Sequence, residues 1–448
     1  MPDVPLIGPY QPDDVLAWDA TSPQTARQFL TDVTAFAEQL PDRLYVVNLA
    51  ESRYRFFVGL SAAILRGQRT LLPQSRAPQT LRRIMAEYPG SYVVSDRPES
   101  LEGIECATIS LRNVAGRQTF SVPTIPATQP VAIAFTSGST GRPMPNVKTW
   151  GALTAVAKAT GARLGLNDGE ATSVVATVPH QHMFGLEASV MLPLVHGFAM
   201  HAGRPLFPAD IAAALTEVTG RRILVTTPLH IRACLVDKPS FPSLHTILSA
   251  TAPLARTTAE DAERQWQTRV HEIFGFAEAG SVAERRTVAT DSWRPLDGVA
   301  LVHDEGRWSV LTEYLPQLVP FPDSVVVDSA GTFVLRGRAS DQVNIAGHRV
   351  SIGDLNQKLL EIEGVTDGVF FLPNDTDEAI TRLAAFVVAP GKTEADIRQA
   401  LRGHLNPVFL PRPLVLVPSL PRNETGKLPR EALMAAARHW LAGQPHET

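Results

Sequence analysis

Apolar positions along the chain recur in two periods, and the two periods alternate. Phe29, Val33, Phe36 and Leu40 fall at helical spacing and predict one buried stripe. LYVVNL (44–49) then reads as a strand, RFFVGLSAAILRG (55–67) as a helix closing on glycine, and YVVSD (92–96) as a second strand. VAIAF (131–135), SVVATV (173–178), RILVTT (222–227) and HTILSA (245–250) are further strands, each followed by small or turn-forming residues. Open parallel sheets place their ligand loops at such positions, so the pattern predicts an α/β protein with binding loops after these strands. Proline-rich stretches near 121–130 and 314–322 read as connections, and the second precedes shorter strands around GTFVLRGR (331–338). A division near Gly337 follows, giving units 1–337 and 338–448.

Length supports that division, because 448 residues exceed what one ordinary core organises. A formal charge of -4 argues against a dominant nucleic-acid or acidic-membrane surface. Cys106 and Cys234 offer neither a disulfide framework nor a zinc cluster, which fits a reducing compartment. The start lacks a basic, apolar leader, and the most apolar later stretch, ASVMLPLVHGFAM, is broken by Pro193 and His196. The expectation is a cytoplasmic protein without membrane insertion and without a nucleic-acid partner.

Candidate chemistry gathers in four places. Thr136, Ser137, Gly138, Ser139, Thr140 and Gly141 bring hydroxyls and glycines together after VAIAF, where they read equally as a polar turn or an anion site. Glu278 in IFGFAEAGS has the oxygen chemistry of a Mg²⁺ ligand, with an ion pair to Arg285 or Arg286 as the bland alternative. Asp323, Arg338 and Arg349 could accept ribose hydroxyls and clamp a sugar or phosphate, or simply decorate a hairpin. Lys427 follows the flexible Gly426 in LPRNETGKLPR. The usual signatures are missing: Gly426-Lys427 is followed by Leu428, so there is no P-loop, and GSTG is no nucleophile elbow.

The order TSGSTGRP, PHQHMFG, SATAPL, FGFAE, Asp323, GRASDQVNIAGHR, NETGK resembles the adenylate-forming superfamily of acyl-CoA synthetases, aryl acid ligases, luciferases and peptide-synthetase adenylation domains. The resemblance runs from about residue 30 to about residue 432. It implies a large N-terminal unit of mixed sheets sandwiched by helices and a small, mobile α+β C-terminal unit. It also implies ATP-dependent activation of a carboxylic acid to an acyl-adenylate, release of pyrophosphate, and transfer of the acyl group to a thiol. By that similarity residues 136–141 wrap phosphates, Glu278 holds Mg²⁺, and Ala250, Thr251, Ala252 and Phe274 form the adenine slot. Asp323 and Arg338 take the ribose, His182 sits beside carboxylate and phosphates, Lys427 is catalytic, and Ser340 marks the hinge. His182 has a bland alternative as a buried structural histidine. Gly185, His230 and Ala250 join His182 as candidate lining of the acid pocket.

Departures sharpen the resemblance. Met144 stands where the family usually has lysine, leaving Arg142 or Lys148 as substitutes; Ala277 replaces a hydroxyl residue, and SATAPL replaces SGGAPL. The chain looks like stand-alone ligases of aryl polyene pathways, which implies a hydroxybenzoate or cinnamate-like acid and an acyl carrier protein. Coenzyme A with an acyl or fatty acid is the alternative, and a non-catalytic nucleotide sensor or scaffold the alternative of another class. Arg398, Arg402, Arg412, Arg422, Lys427 and Arg430 against the single acid Glu424 suggest a docking surface for an acidic carrier, or cations that serve ATP or solvent.

Overall fold

The computed structural model describes residues 2–442 except 20–21, 74, 98–107, 111–119, 138–142, 305, 316, 339–341, 346–347, 374–382 and 424–425. The predicted stripe forms the helix Ala26–Ala37, with Phe29, Val33 and Phe36 buried. Thr25 caps it, its hydroxyl accepting from the Gln28 amide at 3.2 Å. Helix Arg53–Leu65 packs across it, Phe57 stacking on Phe29 at 4.4 Å. LYVVNL and YVVSD become the strands Tyr45–Asn48 and Tyr92–Ser95.

These strands belong to a six-stranded sheet, in the order Pro143–Thr149, Pro130–Ser137, Arg69–Leu72, Tyr45–Asn48, Tyr92–Ser95, Thr108–Ser110. All pairs are parallel except the first, where the chain returns after residues 138–142. A nine-stranded sheet contains Arg269–Phe276, Thr246–Ser249, Arg221–Thr226, Thr172–Ala176, Ala199–His201 and Val15–Trp18 side by side and parallel, with antiparallel strands at both flanks. Alternation decides its faces. Val175, Leu224 and Ile247 meet the helices Pro208–Glu217, Pro228–Asp237 and Arg256–Trp266, while Val174, Ile223, Val225 and Leu248 pack on the opposite side with Ala188 and Leu192. Both faces are covered, which is why these strands read as unbroken apolar runs.

A third core joins the sheets: Val46, Tyr92, Val94 and Ala132 share one cluster with Leu16, Met200, Trp150 and the 186–194 segment. Beyond residue 342 the chain builds cores of its own. There Asp367–Phe371, Ala384–Val388 and Leu414–Leu416 form a three-stranded sheet. One face meets helices Ile352–Leu360 and Glu394–His404, the other Arg430–Ala442. The architecture is a mixed α/β fold with a large N-terminal and a small C-terminal part. No helix among the described residues is long and apolar enough to cross a membrane.

Candidate active site

Parallel neighbours end together, so the loops after them converge. The register sets Thr226 beside Ser249 and Ser249 beside Glu272, with Ala176 beside Val225. Residues 177–182, 227–230 and 250–252 therefore leave one edge of the nine-stranded sheet, and Arg269–Phe276 runs on to the turn that carries Glu278. Loops were expected at these strand ends, and they leave the sheet at this edge.

The two histidines of PHQHMFG differ in burial. His180 is buried, donates from Nε2 to the Ala50 carbonyl at 2.9 Å, and burial holds its pKa well below the usual histidine value. His182 is half-buried at the start of helix Met183–Leu186 and lines a cleft of about 270 Å³. Leu49, Pro73, Arg76, Pro179 and Gln181 share that cleft with Arg422 and Asn423 from the C-terminal part. Gly185 is packed against the Pro179 carbonyl, where a Cβ would collide. Its lack of a side chain thus serves the turn itself.

His230, in the first turn of Pro228–Asp237, faces the Thr227 hydroxyl at 2.9 Å and the Thr177 hydroxyl at 3.3 Å through Nδ1. Burial, with Arg204 nearby, pushes its pKa down to about 4. The unfolded histidine takes up a proton near its ordinary 6.5 while the folded one does not. Stability present above that pH is thus lost as pH falls toward 4, by at most about 3 kcal/mol. Thermal melts from pH 7 to pH 4.5 should show a shallower loss for His230→Gln than for the parent chain; equal slopes would remove His230 as the source.

Glu278 is exposed on the turn between Arg269–Phe276 and Gly280–Arg286. The ion-pair alternative fails here: Arg285 pairs with Glu272 at 2.6 Å and Arg286 with Glu263 at 2.5 Å. Among the described residues no group of three or more His, Cys, Asp or Glu could cage a metal. One exposed carboxylate fits Mg²⁺, which takes few protein oxygens and completes its shell with phosphates and water.

Beneath this turn lies Lys148, only 4% exposed, whose Nζ donates to the Glu278 carbonyl at 3.1 Å. Burial lowers its pKa, opposed by the nearby charges of Glu187 and Glu278. Its position answers half of the Met144 question, since Lys148 points inward to the turn; Arg142 lies outside the described residues, and Met144 is exposed on Pro143–Thr149. Glu187 opens a π-helical turn, Glu187–Met191, and accepts from the Ser281 amide at 3.0 Å and hydroxyl at 2.6 Å. Burial raises its pKa. A hydrogen bond to a charged group contributes ~1.5–3 kcal/mol, less than the several kcal/mol of desolvating an ammonium, so the neighbouring carboxylates are needed.

Phe274 packs with Trp293 at 5.5 Å, Phe333 at 5.9 Å and Phe321 at 6.1 Å, forming an aromatic wall of which sequence reading found one member. Ala250 is buried, and Thr251 and Ala252 are half-buried beside it. Thr251 has φ of +79°, a region where a β-branched residue is strained by ~1–2 kcal/mol. Asp323 lies opposite Arg338 in the register of Asp323–Val327 and Phe333–Arg338, so the hairpin reading and the juxtaposition of the two hold together. Arg349 lies on His348–Ser351, paired in register with Asn344.

Lys427 is exposed on a closely bonded turn. Its amide donates to Asn423 Oδ1 at 2.9 Å, its carbonyl accepts from the Asn423 amide at 2.8 Å, and Gly426 takes φ of +76°. Arg422 donates to the Gly426 carbonyl at 2.9 Å and forks onto Asp367 with two bonds of 2.7 Å. The turn rests over the large part, since the Gly426 Cβ direction points to Thr227 Oγ1 at 3.8 Å.

Thr136 and Ser137 end the strand Pro130–Ser137; Gly138, Ser139, Thr140, Gly141 and the hinge candidate Ser340 lie outside the described residues. Sequence reading missed Arg53, Glu187 and Asp367. Arg53, 1% exposed, donates to the carbonyls of Ala176, Val178, His201 and Gly203 and to Ser189 Oγ. A lone acid inside the apolar run MFGLEASVML was the available signal for Glu187.

A family profile described as AMP-binding enzyme matches residues 30–321, and one described as AMP-binding enzyme C-terminal domain matches 359–427. A 4-coumarate--CoA ligase of Halorhodospira halophila is 29% identical over 311 residues, 65% of this chain and 73% of that protein. A 4-coumarate--CoA ligase of Rhodobacter capsulatus is 27% identical, covering 60% of this chain and 66% of that one. The structure of the anthranilate CoA ligase AuaEII with anthranoyl-AMP superposes with a TM-score of 0.81 at 16% identity, over 96% of each chain. The O-succinylbenzoate coenzyme A synthetase of Bacillus subtilis with ATP and magnesium gives 0.79 at 15% identity, over 94% of this chain and 97% of that one.

Proposed function

The chain belongs to the AMP-binding enzyme family and is an AMP-forming acid–thiol ligase; on that premise we propose that it activates an aromatic acid of hydroxybenzoate or cinnamate type and passes it to a phosphopantetheine thiol. One observation carries the assignment to this site. His182 from the large part and, from the small part, Arg422 and Asn423, which hold the turn that carries Lys427, line a single cleft above the edge where the nine-stranded sheet releases its loops.

The substrate carboxylate oxygen attacks the α-phosphorus of ATP, an oxygen–phosphorus bond forms, and the bond to the β-phosphate bridge breaks to release pyrophosphate. Both partners are anions, so positioning and cations supply most of the acceleration. Lys427 is the mobile cation for the carboxylate and α-phosphate, and His182 orients the same groups. Thr136 to Gly141 take the outer phosphates, Phe274 with Ala250, Thr251 and Ala252 the adenine, and Asp323 with Arg338 the ribose, while Arg349 remains a candidate for the same nucleotide. Mg²⁺, when bound, neutralises developing phosphate charge, and Glu278 is the residue that would hold it. In the second half-reaction a thiolate sulfur attacks the acyl carbon, AMP leaves, and the thiol proton passes to solvent. Rotation of the small part about Ser340 would exchange the two catalytic arrangements.

The relatives' names favour coenzyme A as acceptor and aromatic acids as substrates. An acyl carrier protein is a second reading supported by the surface. Arg398 bonds Glu394 and Arg422 bonds Asp367, but Arg402 and Arg412 are exposed. Arg402 and Arg412, with the likewise exposed Arg430, make up the carrier patch of this reading. The test is acid-dependent exchange of pyrophosphate into ATP across benzoates, cinnamates and fatty acids, the aryl polyene-type acids first, followed by transfer to coenzyme A and to an acidic holo-carrier. Turnover with aromatic acids is expected; exchange with fatty acids alone would overturn the aromatic assignment, and none with any acid would favour a nucleotide-binding sensor. Arg402→Glu with Arg412→Glu should slow carrier transfer several-fold in a salt-dependent manner while adenylation stays unchanged. Unaltered carrier transfer discards the docking surface.

A further inference from the structure

Lys148 and Glu187 are buried, oppositely charged and remote in sequence, and the adenylation chemistry described above uses neither. Both reach the same turn. Lys148 Nζ donates to the Glu278 carbonyl, while Glu187 Oε2 accepts from the amide and hydroxyl of Ser281. Gly280 between them has φ of +84°, and a Cβ there would stand 2.5 Å from Glu187 Oε1, so the carboxylate's seat depends on a residue without a side chain. Residues 278–281 are thus gripped from below at both ends. The carboxylate of Glu278 is left exposed above.

We propose that Lys148 and Glu187 are positioning residues for the magnesium carboxylate: they fix the backbone of the 278–281 turn so that the Glu278 side chain is presented to the metal–nucleotide complex. The proposal rests on the reading of Glu278 as the Mg²⁺ ligand. Lys148 lies on Pro143–Thr149, the strand that continues from the hydroxyl-rich loop, so the same strand that leaves the phosphate-gripping segment also secures the metal-bearing turn. The cation absent at Met144 is thereby replaced in a different capacity. Lys148 acts through the protein backbone, its ammonium donating to the Glu278 carbonyl.

Groups that orient a metal ligand typically change metal affinity 10- to 100-fold when removed. Calorimetric titration of ATP binding against Mg²⁺, with melting temperature recorded alongside, separates positioning from packing. Lys148→Met alone leaves Glu187 buried without its cation and lowers the melting temperature. In the double variant Lys148→Met, Glu187→Gln the isolated charge is gone and the melting temperature recovers. That variant should still require roughly 10- to 100-fold more Mg²⁺ for ATP binding, with metal-free ATP binding unchanged. Ser281→Ala keeps both charges and removes one of Glu187's two bonds, giving a smaller increase in a variant under little threat of misfolding. A parental Mg²⁺ requirement in both the double variant and Ser281→Ala overturns the proposal. Glu278→Gln distinguishes the two failures: if it raises the Mg²⁺ requirement while the others do not, the clamp alone falls; if it has no effect, the metal assignment falls and takes the clamp with it.

Discussion

Lys427→Ala should reduce acid-dependent exchange of pyrophosphate into ATP by about 10²- to 10³-fold or more, the cost of losing one charge-stabilising donor in the transition state. Thiolysis of a supplied acyl-adenylate should survive. The distinction follows from the turn. Asn423 closes it through amide, carbonyl and side chain, and Arg422 ties the Gly426 carbonyl to the buried Asp367, so the lysine backbone is held without help from its own ammonium. Alanine at 427 therefore removes a charge and leaves the scaffold standing. Stopped-flow measurement of each half-reaction decides the matter, and equal loss of both would sink the role assigned to Lys427.

Arg53→Met is expected to destabilise the fold by about 3–5 kcal/mol, the largest stability effect of any single substitution considered. Methionine preserves much of the side-chain volume but deletes every donor. Four carbonyls and the Ser189 hydroxyl then lose this donor, the bonds to Ala176, Val178 and Ser189 being buried and those to His201 and Gly203 part-buried. These acceptors come from the ends of Thr172–Ala176 and Ala199–His201 and from the π-helical turn, so Arg53 fastens the loop edge of the nine-stranded sheet to the helix that opens at Arg53. Denaturant titration checks it; a change under about 1 kcal/mol would mean that water or a neighbour replaces the guanidinium.

Local pattern carried the fold further than the site. The strands at 131–135, 173–178, 222–227 and 245–250 were legible because burial of both faces leaves apolar runs of strand length, and the helix at 26–37 because one face leaves a stripe. Those strand ends also foretold where loops would gather. Lys148 with Glu278, Arg422 with Asp367 and Arg53 with the 201–203 segment were not legible, because each joins residues far apart in sequence and such pairing leaves no local period. Arg53 illustrates the difficulty: an arginine two residues ahead of a predicted helix looks like any solvated cation until the carbonyls around it are known.

Thr251 bends the chain at a φ that favours glycine, in the loop that follows Thr246–Ser249. For laboratory evolution this makes position 251 a place where two selections oppose each other. Screening for heat resistance alone would drift toward glycine, which relaxes the backbone and erases a methyl and a hydroxyl of the proposed adenine slot. Screening for turnover would hold the threonine and carry the strain forward. A library that scores both at once therefore has its sharpest trade-off at a residue assigned to holding the nucleotide and not to the reacting atoms.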